Sequence, residues 1–431
     1  MRRRDFMKLA AAAAVLPRSA QPGPAGPADA GASSSARSGG RAGWGRDDTY
    51  DAAVIGAGVF GSWTAWHLQR AGKRVVLLDA YGPANARASS GGESRVTRLS
   101  YGKDEIYTRM ALSSLEQWQT LSARAGLPVL HRIGVLVLIG SDDRYLRDST
   151  ETIGRVGGRI EELSRAELAR RYPQIGLDGI SRGHLEPDTG AVMARRAVLT
   201  LVQEFVRGGG TYQVGAVAPP KGQRRLEAAR TRDGGQVRAG TFVFACGPWL
   251  PRVFPDVLRD RIHPTRQEVF FFGVPAGDNR FAAPALPVWA DFSHLDGIVY
   301  GMPDLESRGF KIAFDAHGPP ADPDSMQRQV SAAQLEAARH YLARRFPGLG
   351  RAPLVEGRVC QYENTSNGDF LIDRHPAFDN VWLVGGGSGH GFKHGPAVGE
   401  YVSRAVLGRL DRPEARFSLA TKKAVQRRSV Y

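Results

Sequence analysis

The chain has 431 residues, 42% of them hydrophobic and 23% charged, with a formal charge of +15. A chain of this composition is globular, with a core sized for about two to three domains, which excludes collagen-like, coiled-coil and wholly disordered classes. Two cysteines, Cys246 and Cys360, exclude a disulfide scaffold and an all-cysteine zinc site, and no apolar run is long enough to span a bilayer as a helix.

The N-terminus reads as an address. Arg2-Arg3-Arg4-Asp5-Phe6-Met7-Lys8 precedes a weakly apolar, alanine-rich run at 9–16, the order of a basic region followed by a short apolar one. Its Arg-Arg-x-Phe-x-Lys pattern resembles a twin-arginine signal and implies export of a folded chain to a periplasmic or extracellular location; the alternative is a basic N-terminus on a cytosolic protein. Of the 30 residues at 17–46, 23 are Pro, Gly, Ala or Ser, too few apolar groups to offset the entropy of ordering. Residues 1–46 hold eight Lys/Arg and two acids. The positive charge beyond them is spread without a basic stripe or nucleic-acid motif, so small anions suit it better than nucleic acid.

The run 51–55 predicts a buried strand, followed by Gly56-Ala57-Gly58-Val59-Phe60-Gly61, a helical stretch through Ala71, and a second strand at 73–78 ending on Asp79. This is a βαβ unit with a dinucleotide-binding turn. Gly56 makes the tight turn, Gly58 admits a pyrophosphate, Gly61 lets helix and strand pack, and Asp79 accepts from ribose hydroxyls. Strand-like segments recur at 238–245, running into Cys246-Gly247-Pro248, and at 381–384, entering Gly385-Gly-Gly387-Ser-Gly389 before a helical run at 396–407. Between them, 130–185 and 263–355 are rich in β-branched and aromatic residues, which predicts an antiparallel sheet with a helix near 331–345.

Several residues have two readings on their own pattern. Arg95 and Arg98 suit an exposed face or an anion site. Lys311, between apolar strand residues in Gly309-Phe-Lys-Ile-Ala-Phe314, either snorkels to solvent or serves a buried role. Tyr300 and Tyr362 suit a core or a pocket. Cys360 suits a core thiol, and Cys246, at a strand end among small residues, reads as structural.

The blocks Cys360-Gln-Tyr-Glu-Asn-Thr365, Asp369-Phe-Leu-Ile-Asp-Arg-His-Pro376 and Gly387-Ser-Gly-His-Gly-Phe-Lys393 resemble the flavoprotein amine oxidases of the monomeric sarcosine oxidase and N-methyltryptophan oxidase type, within the D-amino-acid oxidase fold superfamily. The resemblance runs over most of 50–420. It implies an α/β fold in which a Rossmann-like FAD-binding domain (47–129, 186–262 and 356–431) is interleaved with a substrate domain built on an antiparallel sheet (130–185 and 263–355). It further implies FAD held by Gly56, Gly58, Gly61, Asp79, Gly387, Gly389 and Lys393, with a covalent thioether to Cys360. Arg95 faces the flavin, Arg98 and Lys393 bind a substrate carboxylate, Tyr300 and Tyr362 line the pocket, and Lys311 activates dioxygen. The implied reaction is oxidation of a secondary or primary amine bearing a carboxylate, with hydrogen peroxide as second product, by a monomer that needs no nucleic acid or metal. Two departures stand out. Asp315 occupies the place of a substrate-contacting histidine, on the same face of the strand as Lys311 and expected to neutralise it in part. Ser90-Gly91 replaces a pair of histidines. A dehydrogenase of the same fold and a non-catalytic nucleotide-binding protein are the rival readings.

Overall fold

The strands at the centre of the molecule bury both faces. Thr49–Ile55 and Val75–Asp79 are solidly apolar where they pair, the pattern of a parallel sheet covered on both sides. In the computed structural model, residues 49–141, 144–293 and 297–425 are described. The leader and linker expected at 1–46 lie outside them. The described residues fall in one unit built around two large sheets.

The first sheet has seven strands, and its main path runs Leu371–Arg374, Val381–Gly385, Gln236–Phe244, Thr49–Ile55, Val75–Asp79, Thr211–Val214. All neighbours on this path are parallel except the first pair. Helices Val59–Arg70, Glu105–Arg124, Ala194–Arg207 and Gly395–Val406 contribute Trp63, Trp118, Phe205 and Val402 to the core on one face. Phe242, Phe244, Leu250 and Phe254 build the core on the other. The turns where parallel strands end at their carboxyl edge converge: Gly56 N–H donates to Leu78 O and Ala245 N–H to Ile55 O, both at 2.7 Å. Ligands of doubly wound sheets bind at such an edge.

The second sheet has eight strands in the order Leu354–Thr365, Ile262–Phe272, Phe310–Asp315, Ile298–Met302, Val288–Asp291, Val135–Ile139, Arg182–Glu186, Glu161–Ser164. It is antiparallel, as its composition predicts, except that Val288–Asp291 runs parallel to Val135–Ile139. Helix Ala332–Arg345, capped by the Ser331 hydroxyl, packs on it through Tyr341 and Leu342. The sequence division at 355/356 falls inside the strand Leu354–Thr365. That strand pairs with Ile262–Phe272 nearly throughout its length, placing Cys360 opposite Gln267 and Tyr362 opposite Thr265. The pairing is continuous, so the strand stays with the second sheet until its last residues reach the carboxyl edge of the first.

Helix Val59–Arg70 approaches its own strand closely. A Cβ on Gly61 would lie 1.8 Å from the Gly56 carbonyl oxygen, a backbone atom that cannot turn aside. Gly61→Ala is therefore expected to cost about 3 kcal/mol or more of stability, read as a lowered melting temperature; an unchanged melt would mean that helix and strand separate without penalty.

Candidate active site

Two chambers meet at the carboxyl edge of the seven-stranded sheet, and the nucleotide end comes first. Asp79 Oδ2 accepts from Ala57 N–H and Oδ1 from Tyr81 N–H, each at 2.8 Å, so the acid closes the glycine turn that precedes it. Burial raises its pKa. Gly58 is the N-cap of helix Val59–Arg70, and a Cβ there would meet only Ser90 Oγ, at 3.5 Å. The helix N-terminus therefore opens on the cavity that Gly56, Gly58, Asp79, Gly387 and Gly389 line, with its dipole available to an anion. Ser90 Oγ accepts from Val59 N–H at 3.0 Å. A Cβ on Gly91 would collide with Asn85 O at 2.0 Å. The Ser90-Gly91 departure is thus a tight loop that satisfies one amide of the helix's first turn.

Lys311, Arg95 and Cys360 form the second group. Lys311 is 2% exposed, and its Nζ donates to Ser94 O at 2.8 Å, so it does not snorkel. Burial first, and the Arg95 guanidinium second, push its pKa down to about 7. Arg95 donates to Ser94 O at 2.9 Å and to Ser89 O at 2.5 Å, and its Nη2 lies 3.5 Å from Cys360 Sγ. Both cysteines are free. Cys246 donates to Ile55 O at 3.5 Å, and burial raises its pKa.

Arg98 and Lys393 gather around a residue that local pattern did not single out, Tyr101. Lys393 Nζ donates to the Tyr101 hydroxyl at 2.7 Å and to His390 O at 2.9 Å. The Arg98 guanidinium lies 4.5 Å from the Tyr101 ring centre and donates to Ser100 O and to the Tyr145 hydroxyl, the latter at 3.1 Å. His394 Nε2 is 2.7 Å from the Tyr101 hydroxyl. Burial, then Arg98, hold the Lys393 ammonium well below the usual lysine range. Glu186, fully buried, accepts from the N–H groups of Leu99 and Ser100 at 2.6 and 3.0 Å and from the Ser100 hydroxyl, which fixes the corner carrying Arg98 and Tyr101.

Asp315 departs from expectation. Its charge acts on Lys393, Arg98 and Tyr300, and its Oδ1 accepts from the Tyr362 hydroxyl at 3.4 Å. The groups that offset Lys311 are instead Cys360 and, after it, Glu93. Four residues of strand span about 13 Å, so a shared face does not bring Lys311 and Asp315 together. Tyr300, hydrogen-bonded to Tyr362, closes the group. The sequence signals for the missed residues were faint: Glu186 is an acid ending a buried strand, Tyr101 lies three residues beyond Arg98, and Glu363 sits inside the Cys360 block.

Residues 51–405 match the FAD dependent oxidoreductase (DAO) family, and the chain belongs to it: it is an FAD-dependent oxidoreductase. It is 31% identical over 371 residues to the monomeric sarcosine oxidase of Streptomyces avermitilis, covering 83% of this chain and 94% of that protein. To the peroxisomal sarcosine oxidase of Homo sapiens it is 29% identical over 359 residues, covering 82% and 91%, and to the N-methyl-L-tryptophan oxidase of Salmonella arizonae 27% over 373 residues, covering 83% and 95%. The structure of L-proline dehydrogenase from P. horikoshii superposes with a TM-score of 0.74 at 18% identity, covering 86% of this chain and 97% of that one. That of NikD, an amino acid oxidase, gives 0.71 at 20%, covering 86% and 98%. These superpositions bear on the fold alone. The open cradle at Gly58, the acid ending the second strand, and the cationic far end suit FAD.

The Lys311 displacement has a consequence for stability. Its folded pKa lies below the unfolded 10.5, so below pH 7 the folded protein carries a buried ammonium at full cost; the cost shrinks as pH rises and vanishes above about 10.5. In the flavin-free protein, Lys311→Met should therefore stabilise at pH 6 by at most about 5 kcal/mol, with the gain fading towards pH 10. A melting temperature that falls at pH 6, or a gain independent of pH, would show that the lysine is not held at a penalty.

Proposed function

We propose that this oxidoreductase oxidises a secondary or primary amine that bears a carboxylate, an N-methyl or cyclic amino acid, and passes the electrons to dioxygen. The observation that carries this reading is the pairing of Arg98 and Lys393 around Tyr101, two cations held by neutral oxygens and so left with charge for an anion. The names of the sarcosine and N-methyltryptophan oxidases support the same substrate class.

Gly56, Gly58, Gly61 and Asp79 hold the nucleotide half of FAD, and Cys360 carries the flavin through a thioether. Arg95 donates to the sulfur that would carry this bond, Nη2 to Cys360 Sγ at 3.5 Å. FAD held there would supply the hydride-accepting and electron-transferring chemistry. The protein's own groups do the rest. Arg98 presents a planar fork to the substrate carboxylate and Lys393 a point charge, which fixes the amine and its neighbouring C–H, a proximity effect. Asp315 holds the substrate's ammonium proton, so the nitrogen lone pair is free as the hydride departs, and Tyr362 and Tyr300 orient that carboxylate. The imine is hydrolysed by water. Lys311 and Arg95 place positive charge where electrons reach dioxygen, which leaves as hydrogen peroxide. Residues 1–46 are read as a twin-arginine leader that sends the folded, loaded monomer to the periplasm or beyond.

Lys393→Met should weaken binding of a carboxylated amine by roughly 2–5 kcal/mol, since one partner of a desolvated charge contact is lost. The Michaelis constant, followed by peroxide release, should rise far more for the amino acid than for its decarboxylated amine. Equal effects on both would remove the carboxylate from the reading. Separately, acid-precipitated protein should stay yellow, and Cys360→Ala should release its colour to the supernatant; colourless precipitate from the unaltered chain would leave FAD bound but not attached.

A further inference from the structure

One buried carboxyl in the cofactor cavity has no part in the chemistry above. Glu363, 8% exposed, follows Tyr362 on the strand Leu354–Thr365 and points into the convergence of turns at the carboxyl edge of the seven-stranded sheet. Its side chain is cradled by three glycines: a Cβ on Gly387 would lie 3.3 Å from Oε1, and on Gly385 and Gly247 3.4 and 3.6 Å from Oε2. Oε1 accepts from Gly387 N–H at 3.3 Å. Oε2 is buried and has no hydrogen-bond partner among the described residues. An orphaned oxygen in such a place costs free energy unless a ligand completes it.

The surroundings decide which protonation state that ligand meets. From the turn after Gln236–Phe244, Cys246 faces the carboxyl, and burial above all holds its thiol protonated. Asp79 approaches from the end of its strand. The 385–391 loop offers backbone and Ser388, whose N–H donates to Glu363 O at 3.1 Å, and the partner strand places Pro264 opposite. Of the three arginines lining the cavity, Arg252 is ion-paired with Asp322 and Asp324, Arg95 is bound to the carbonyls of Ser89 and Ser94, and Arg232 is exposed. FAD brings hydroxyl and phosphate oxygens, and a carboxylate facing phosphate is repelled, whereas a carboxylic acid donates to it. Burial already pushes the Glu363 pKa up to about 7.

We propose that Glu363 is a cofactor-binding residue that is held as a neutral carboxylic acid and donates a hydrogen bond from Oε2 to an oxygen of FAD, so that FAD binding takes up a proton at this carboxyl. The inference rests on the cofactor alone and not on the amine or on the Cys360 bond. The full chain carrying Cys360→Ser, freed of flavin, is titrated with FAD by fluorescence quenching between pH 6 and 8.5. Affinity should be flat below about pH 7 and fall about tenfold per pH unit above it, because the carboxylate must first be protonated. Glu363→Gln on the same background keeps a donor at that position and should abolish the slope, binding FAD about thirtyfold more tightly than its parent at pH 8.5. Asp79 is present in both chains, so a slope that persists in Glu363→Gln belongs to Asp79 and overturns the proposal, as does a flat profile in the parent. If Glu363→Gln does not fold, proton uptake by the parent decides. In weakly buffered indicator solution at pH 7.5, FAD binding should take up close to one proton, and the loaded protein should show the infrared carbonyl band of a protonated carboxyl. Absence of both overturns the proposal.

Discussion

Burying positive charge without negative partners is the constraint on which the site depends. Lys311, Lys393, Arg95 and Arg98 are held by the carbonyls of Ser89, Ser94, Ser100 and His390 and by the Tyr101 and Tyr145 hydroxyls, not by carboxylates. Taking an ammonium out of water is expensive, and both lysines show it as pKa values displaced downward by burial. Neutral oxygens satisfy the donors without cancelling the charge. The field that remains is available to a carboxylate, to a reduced cofactor, or to oxygen gaining electrons.

The framework keeps those cations in place by crossing its two sheets. The strand Leu354–Thr365 belongs to the eight-stranded sheet through its pairing with Ile262–Phe272, yet its end reaches the turns of the seven-stranded sheet. Because side chains alternate along a strand, Cys360 and Tyr362 present to one side and Glu363 to the other. One element thereby lines both chambers. Lys311 sits two strands away, held by Phe271 and Met302 as neighbours in register, on a sheet whose far face is locked by Trp289, Phe310 and the buried Asp291–Arg345 pair.

Acids are placed with equal economy. Glu186 organises the backbone at Leu99 and Ser100, Glu93 offsets Lys311, and Asp315 answers Arg98 and Lys393. Glu93 is itself ion-paired with Arg308 at 2.7 Å and with Arg358 at 3.1 Å. Both signs of charge therefore meet around Lys311 and around Arg98 and Lys393.

Local pattern was enough for the parallel strands, the glycine turn with Asp79, the helix after Ser331 and the blocks around Cys360 and Lys393, because each is a contiguous run whose chemistry is carried by neighbours in the chain. The family resemblance those blocks support named Arg95, Arg98, Lys311, Tyr300 and Tyr362 as candidates, but not where they meet. The partners of those residues were decided by tertiary structure alone. Tyr101 and Lys393 are 292 positions apart, and Glu186 reaches Ser100 across 86. The period of a strand correctly put Asp315 on the face of Lys311 and still misassigned its effect, since a shared face says nothing of the distance along it. What sequence by itself determined is the fold and the kinds of group in the site. Which charge answers which, and which buried oxygen is left without a partner, were decided by packing between segments far apart in the chain, where no local preference acts.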